Sequence, residues 1–445
     1  MIGSFMGSME ATVIATAMPT IVGEMGGLNI YGWAFSIYVL TSSAAMPVMG
    51  KLSDIFGRRL VYAWAMGLFL VASLLCAVAP SMFWLIVFRG LQGLGAAGLM
   101  PLALVMIGDM FTLEERAQVQ ALFSGVWGLS SVSGPLLGGF LVAQIGWPSV
   151  FYINIPFGIL SAWMVWHWWE DRHELAKGKP YIDYPGALLI TASAVLLLLG
   201  LVDITHWRSW LALGAAAIAI SLAIRVERRS PEPIIPLQLF EWRFFTIAIL
   251  QSVVIGWILN GVTAYVPLFV QKVQGKSAME AGASLSPLLI AWVISSVISA
   301  KLLLRIGYWH IMAGGMLLTV LGSLPLIWLD ATKSWIFLWS AMAILGFGFG
   351  FGVPAVFIAI QMQVERKWMG AATALLQFAR NMGGSVGIGV MGAVFNIREK
   401  SQGFEKALEA VFFVAAILTL TGLIVAARAP RLSPSELRQR RGEAV

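Results

Sequence analysis

Apolar runs of about twenty residues alternate with short polar links along almost the whole chain, and that is the length an α-helix needs to cross the hydrocarbon core of a bilayer. Fourteen runs can be counted, near 2–23, 30–49, 60–79, 82–107, 117–143, 149–168, 184–204, 208–225, 244–269, 280–302, 309–329, 335–360, 369–396 and 405–427. Each predicts a membrane-spanning helix, so the expected fold class is an all-α integral membrane protein with 14 transmembrane helices. An even number of crossings puts both ends of the chain on one side. Links after even-numbered spans carry Lys51, Arg58, Arg59, Arg116, Arg172, Lys177, Lys179, Arg225, Arg228, Arg229, Lys301, Arg305, Arg366 and Lys367, and Arg428, Arg431, Arg438, Arg440 and Arg441 follow the last span. Links after odd-numbered spans carry fewer cations: Arg208, Lys272, Lys276, Lys333, Arg398, Lys400 and Lys406. Cytoplasmic links hold the excess of Lys and Arg, so both termini are expected in the cytoplasm.

The runs fall into an internal repeat. Ala300-Lys301-Leu302-Leu303-Leu304-Arg305-Ile306-Gly307 lines up with Gly50 to Gly57, with Lys, Leu and the closing Gly coinciding and Leu304 in place of Asp54. Spans 9–14 thus read as a degenerate copy of spans 1–6, the two-halved plan that places a transport site between the halves. Spans 7 and 8 fall outside the repeat, between the polar links 169–183 and 226–243, and read as an inserted hairpin. The predicted domains are 1–168 (six helices), 169–243 (hairpin and links), 244–427 (six helices) and 428–445 (a basic tail).

Composition narrows the function. The chain is 59% hydrophobic and 11% charged. Its net charge of +7 sits in short links rather than on one basic face, so it is not a nucleic-acid footprint. Cys76 is the single cysteine and lies in an apolar run, which excludes a disulfide framework and a cysteine metal site. His167, His173, His206 and His310 are scattered at span ends and links. Gly275-Lys276-Ser277 imitates the end of a phosphate-binding loop, but Val270 stands where the first glycine is needed. With no nucleotide, metal or other cofactor motif, an ion gradient is the expected energy source. Ala15-Thr16-Ala17 imitates a signal-peptide cleavage site, yet no cation precedes it and Glu10 interrupts the apolar stretch. Span 1 is therefore expected to stay in the mature protein; Met1 leads straight into it, which reads as a clipped or short start.

A few polar positions inside or beside the spans carry the candidate chemistry. Glu10 is the only acid deep within a span, Arg89 lies inside span 4 and Arg380 inside span 13, where it can answer Glu10 across a cavity. Charges at such depth default to function; the alternatives are a fixed Glu–Arg pair and, for Arg89, snorkelling to the interface. The stretch Gly50-Lys51-Leu52-Ser53-Asp54-Ile55-Phe56-Gly57-Arg58-Arg59 reads as a ten-residue turn between spans 2 and 3, with three cations around one acid. Asp109, Glu114, Glu115 and Arg116 after span 4 can join Asp54 and Arg58 in a charge cluster that locks one conformation, or in a static surface network. In span 5, Gly134, Pro135, Gly138 and Gly139 predict a bent, closely packed helix. Gln92, Trp127, Gln251, Trp257, Asn260 and Gln377, with Glu10, are candidates for the substrate cavity. The alternating Gly346–Gly352 run of span 12 reads as an aromatic-bearing hinge or as dense packing.

These motifs, in this order, resemble the major facilitator superfamily. The G-x-L-x-D-x-x-G-R-R order of residues 50–59 is similar to its signature loop between helices 2 and 3. Arg89-Gly90-Leu91-Gln92-Gly93 resembles its span 4 motif, and Arg380 to Ser385 its R-x-x-G-G-S segment. Gly134-Pro135-Leu136-Leu137-Gly138-Gly139 resembles its antiporter motif, which marks exporters. Span 1 resembles L-D-x-T-I-V, with Glu10 where Asp is usual. The six-plus-two-plus-six plan resembles the 14-helix drug/proton antiporters of the EmrB/QacA type over essentially the whole chain. The resemblance implies two pseudo-symmetric six-helix bundles with an inserted hairpin, in the inner (plasma) membrane. It also implies a secondary transporter rather than an enzyme, one that uses the proton motive force to export amphipathic compounds by alternating access. Multidrug or toxic-metabolite efflux and antibiotic resistance would follow. Glu10, Arg89 and Arg380 would act in proton coupling. Gly50, Asp54, Gly57, Arg58, Arg59, Asp109 and Arg116 would form the conformational switch. The expected partners are protons, the bilayer, a lipophilic cation or neutral drug and a periplasmic adaptor, with no nucleic acid. A nutrient symporter of the same fold and a non-transporting receptor are the alternatives.

Overall fold

A bilayer core offers no partner for backbone N–H and C=O groups, and a helix satisfies its own. The computed structural model accordingly places helices on the apolar runs. It describes residues 2–27, 32–111, 137–170, 183–202, 207–276 and 278–430, with scattered positions between 112 and 136, and no strand occurs among them. The long helices are α1 (Ile2–Met25), α2 (Gly32–Phe56), α3 (Arg58–Ala77), α4 (Met82–Met110), α5 (Ser149–Trp168, interrupted at Ile153), α6 (Tyr184–Val202), α7 (Trp207–Glu227), α8 (Arg243–Lys272), α9 (Ser286–Ile306), α10 (Tyr308–Ser323), α11 (Trp335–Gln363), α12 (Met369–Gln402) and α13 (Phe404–Ala427). Among the described residues, ten helices are long and apolar enough to cross a membrane. Most of span 117–143 lies outside the described residues, and with it Trp127, Arg116 and Pro135; so do Glu114, His173, His206 and residues 431–445.

The expected ten-residue turn at 50–59 is largely helix. α2 runs on to Phe56, α3 starts at Arg58, and Gly57 alone reverses the chain, with φ +89° and ψ 154°. Gly307 turns α9 into α10 with φ +77° and ψ 161°. That region is closed to most L side chains, so the glycine shared by the two copies of the repeat makes the same turn in both.

Helix packing separates into two groups. α4 packs on α1, α2 and α3, while α11 packs on α9 and α10, and α8 on α12 and α13. Each group has its own apolar core, around Phe69, Leu99 and Leu102 in the first and around Phe245, Phe349 and Phe412 in the second. α2 and α12 face each other between the groups. The α6–α7 pair packs on them through Ala194 and Leu198, against Leu40, Ala44 and Met382. Its base is tied down by polar contacts. Gly186 N–H donates to Asp183 Oδ1 at 2.7 Å, Ile235 N–H to Glu227 Oε2 at 2.9 Å, and Lys51 Nζ to Glu232 Oε2 at 2.7 Å.

Lipid tails are as apolar as leucine, so membrane helices associate through close approach of small residues. In α11, a Cβ on Gly346 or Gly350 would strike the α9 backbone at Leu288 or Trp292, and one on Gly348 would strike Thr319 of α10. The alternating glycines therefore serve two neighbours, and α11 runs unbroken from Trp335 to Gln363. Dense packing, not a hinge, is the outcome there. α4 and α11 are the most buried of the long apolar helices, and α7, rich in outward Leu, Ile and Ala, the least. Trp168, Trp207 and Trp210 stand exposed near helix ends, as interfacial tryptophans do.

Candidate functional site

The charges inside the first helix group form one buried network. Glu10 Oε1 accepts from Arg89 Nη1 at 2.5 Å, and Oε2 accepts from Asn154 Nδ2 at 2.6 Å. Arg89 Nη1 also donates to Gln92 Oε1 at 2.6 Å, and Arg89 Nε to Ala34 O at 3.1 Å. Its guanidinium lies 4.2 Å from the centroid of the Tyr38 ring, a cation–π distance. Gln92 Nε2 donates to Ser73 Oγ at 2.8 Å. The chain Asn154–Glu10–Arg89–Gln92–Ser73 thus joins α5, α1, α4 and α3, and α2 adds Ala34 and Tyr38. Glu10 is 2% and Arg89 1% exposed, so Arg89 does not snorkel. Asn154, Ser73 and Tyr38 were missed from the sequence. The one visible signal was Asn154, a lone amide in an apolar run.

Arg380 does not answer Glu10. Both Glu10 oxygens are taken from α4 and α5, whereas Arg380 Nη2 donates to Gln377 Oε1 at 2.7 Å and its guanidinium lies 5.8 Å from the Phe357 ring centroid. Sequence distance said nothing of depth or facing, and Arg89 meets Glu10 first.

The second cluster spans the two groups. Arg58 Nη2 lies 2.8 Å from Asp54 Oδ1, Arg58 Nε lies 3.3 Å from Asp109 Oδ2, and Arg58 Nη1 donates to Ser53 O at 2.8 Å. Asp54 Oδ1 and Oδ2 accept the backbone N–H groups of Gly370 and Ala371 at 2.9 and 2.8 Å. Those are first-turn donors of α12, which have no partner in their own helix and sit at the positive end of its dipole. Asp54 lies past the apolar run 30–49. Burial pushes its carboxyl up to about 6, against the pull of Arg58 and the two amides. The neighbouring cations have partners of their own: Lys51 stands 4.3 Å from the Trp368 ring centroid and Arg59 4.3 Å from that of Trp166. Gly50 permits the crossing, since a Cβ there would stand 2.5 Å from Ala374 Cβ and 2.7 Å from Gly370 O. Nearby, Gln361 Nε2 of α11 donates to Leu104 O of α4 at 3.1 Å. This end of the interface is sealed.

The other end is open. A cavity of about 1010 Å³ lies between α2, α6, α8 and α12, lined by Trp33, Ser36, Val39, Leu198, Tyr265, Ser385, Gly389 and Asn396 among others. None of the six described residues expected in the cavity is among those lining it. Glu10 and Gln92 belong to the buried network, and Trp127 is outside the described residues. Gln251 is 1% exposed, with no hydrogen-bond partner for its amide among the described residues. Asn260 Nδ2 donates to Gly256 O of its own helix at 3.0 Å, and Trp257 packs where a Gly387 Cβ would be. Polarity selected the Glu, Gln and Asn candidates and distance from the span ends the two tryptophans; the α8–α12 seam, opened by glycines, absorbs Gln251, Trp257 and Asn260. In the antiporter-like run, Gly134 and Gly138 are buried and Gly139 faces open space.

A helical bundle with a two-halved plan, a sealed end, an open end and charges held inside a membrane domain defines a transporter. The sequence pattern of the Major Facilitator Superfamily matches residues 1–388, and the chain belongs to that superfamily. It is similar to the multidrug transporter protein MdtP of Bacillus subtilis (strain 168), with 38% identity over 403 residues, covering 89% of this chain and 74% of that protein. Multidrug resistance protein 3 of the same organism is 33% identical over 400 residues (88% and 78%). The efflux pump dotC of Dothistroma septosporum is 30% identical over 395 residues (86% and 68%). Among solved structures, the human organic anion transporter MFSD10 (TETRAN) superposes with a TM-score of 0.70 at 14% identity, covering 96% of this chain and 97% of that one. The proton:xylose symporter XylE superposes with a TM-score of 0.71 at 13% identity (99% and 96%). At such identities the two structures speak for the fold alone. The chain is a multi-pass membrane transporter and not an enzyme.

Proposed function

We propose that the protein exports amphipathic small molecules in exchange for protons by alternating access. The observation that carries this reading is the buried Asn154–Glu10–Arg89 network. A carboxylate that is closed from water and bridges α1, α4 and α5 changes their packing when it takes or loses a proton, because its charge-assisted bond to Arg89 weakens on protonation. The antiporter-like run at 134–139 favours export over symport, and the names multidrug transporter and efflux pump carried by relatives favour amphipathic cargo.

In this reading the chain has fourteen crossings, arranged as bundles 1–168 and 244–427 with the hairpin of 169–243 between them and the basic tail 428–445 behind. It lies in the plasma membrane with both termini cytoplasmic, which the excess of Lys and Arg on the Asp54 side supports. The conformation is then outward-facing: sealed at the cytoplasmic Gly50–Gly370 crossing and open at the other end. A proton reaching Glu10 from outside loosens Arg89, cargo leaves outward, and loss of the proton inside resets the network. The test is an imposed pH gradient across proteoliposomes with a pH dye inside. Wild type should collapse the gradient when cargo is added. Glu10→Gln, still monodisperse, should not; active gradient-driven export by that variant would end the assignment.

A further inference from the structure

Among the described residues, Arg380 is a cation with no carboxylate in contact. It lies about 16 Å along α12 from its first residue at 1.5 Å per residue, hence near the middle of a core about 30 Å thick. Of the 22 acids in the chain, Glu10 alone lies deep in a span, and both of its oxygens are engaged by Arg89 and Asn154. Among the described residues no carboxylate lies within 4 Å of Arg380; its contacts are the Gln377 amide oxygen and the Phe357 ring. A guanidinium has five N–H donors, and the side chain is only half-buried. Its backbone is fixed: a Cβ on Gly256 of α8 would collide with Arg380 O. The next residue reaches the opposite group, with Asn381 Nδ2 donating to Ser43 Oγ of α2 at 3.3 Å. Arg380 therefore stands on a rigid helix, next to the residue that crosses to α2, with charge and donors to spare.

An unpaired charge at that depth is costly, and among the described residues no acid stands close enough to offset it. We propose that Arg380 recognises the cargo, and that the cargo is an amphipathic anion, with a carboxylate or sulfonate on an apolar body. The guanidinium fork matches such a group with two parallel hydrogen bonds, and the Phe357 ring supports the apolar part. This departs from the lipophilic cation or neutral drug expected from the sequence: Glu10 is closed off and already paired with Arg89. The inference rests on the transporter reading but not on proton coupling or direction.

The test uses one fluorescent body with three charges: pyrenebutyrate, pyrenebutanol and pyrenebutyl-trimethylammonium. Exchange is followed in phosphatidylcholine proteoliposomes without a pH gradient, and internal pH is recorded in parallel. Wild type should exchange the carboxylate at least tenfold faster than the ammonium compound. Arg380→Gln should erase that preference, and Arg380→Lys, which keeps the charge but not the fork, should retain part of it. Preference for the ammonium or neutral probe in wild type, a carboxylate preference that survives in Arg380→Gln, or no exchange of any probe would each overturn the proposal. Carboxylate exchange without proton movement supports it while removing proton coupling; ammonium exchange with proton movement does the reverse. If phosphatidylglycerol in the bilayer competes with the probe through Arg380, the anion is a lipid headgroup and the cargo assignment falls.

Discussion

Glu10 and Arg89 each occupy a place where a lone charge is intolerable. Removing one partner of a buried pair leaves the other uncompensated, at a cost of about 3–5 kcal/mol, whereas removing both is far cheaper. Glu10→Gln and Arg89→Gln should each lower the thermal unfolding midpoint of the purified protein sharply, and the double variant should recover much of the loss. Equal destabilisation by singles and double would mean that the two residues are not coupled. Asn154→Ala is expected to weaken the same site less, by about 1–3 kcal/mol, since it strips one hydrogen bond from a buried carboxylate. Both charges were legible in the sequence because each interrupts an apolar run. Their partnership was not: they stand 79 positions apart, and Arg380 looked an equal match.

The start of α12 and the end of α2 form the contact that seals the Asp54 end. Asp54→Asn removes a negative charge from the positive end of a helix, an interaction of up to ~2 kcal/mol when partly buried, and also breaks the pair with Arg58. The opened population should rise, as read from distances between spin labels at Glu115 and Glu365; the lone native cysteine, Cys76, is buried and leaves labelling clean. Gly50→Val should prevent sealing altogether, because even one Cβ there would meet Ala374 at 2.5 Å.

With one end of the interface sealed and a cavity of about 1010 Å³ at the other, the proposed cycle would pass through this arrangement as its outward-facing state. Filling that cavity should arrest the cycle without unfolding the protein. Gly392→Trp, on its α12 wall with the Tyr265 hydroxyl 3.4 Å from a built Cβ, is expected to block exchange of any cargo while leaving the unfolding midpoint within a few degrees. Full exchange by that variant would place the transport path elsewhere. The apolar runs alone determined the all-helical class and the order of the described helices, since a bilayer core admits self-satisfied helices and little else. The turning glycines at 57 and 307 were legible for the same local reason, a backbone angle that other residues avoid. What the tertiary structure decided was pairing. It put Glu10 with Arg89, Asp54 with the amides of α12 and Arg380 with the Gln377 amide and the Phe357 ring, and it turned Gln251 and Asn260 into a helix seam rather than a cavity. Which charge meets which depends on the depth, facing and crossing of separate helices, and these are set by glycine contacts far apart in the chain.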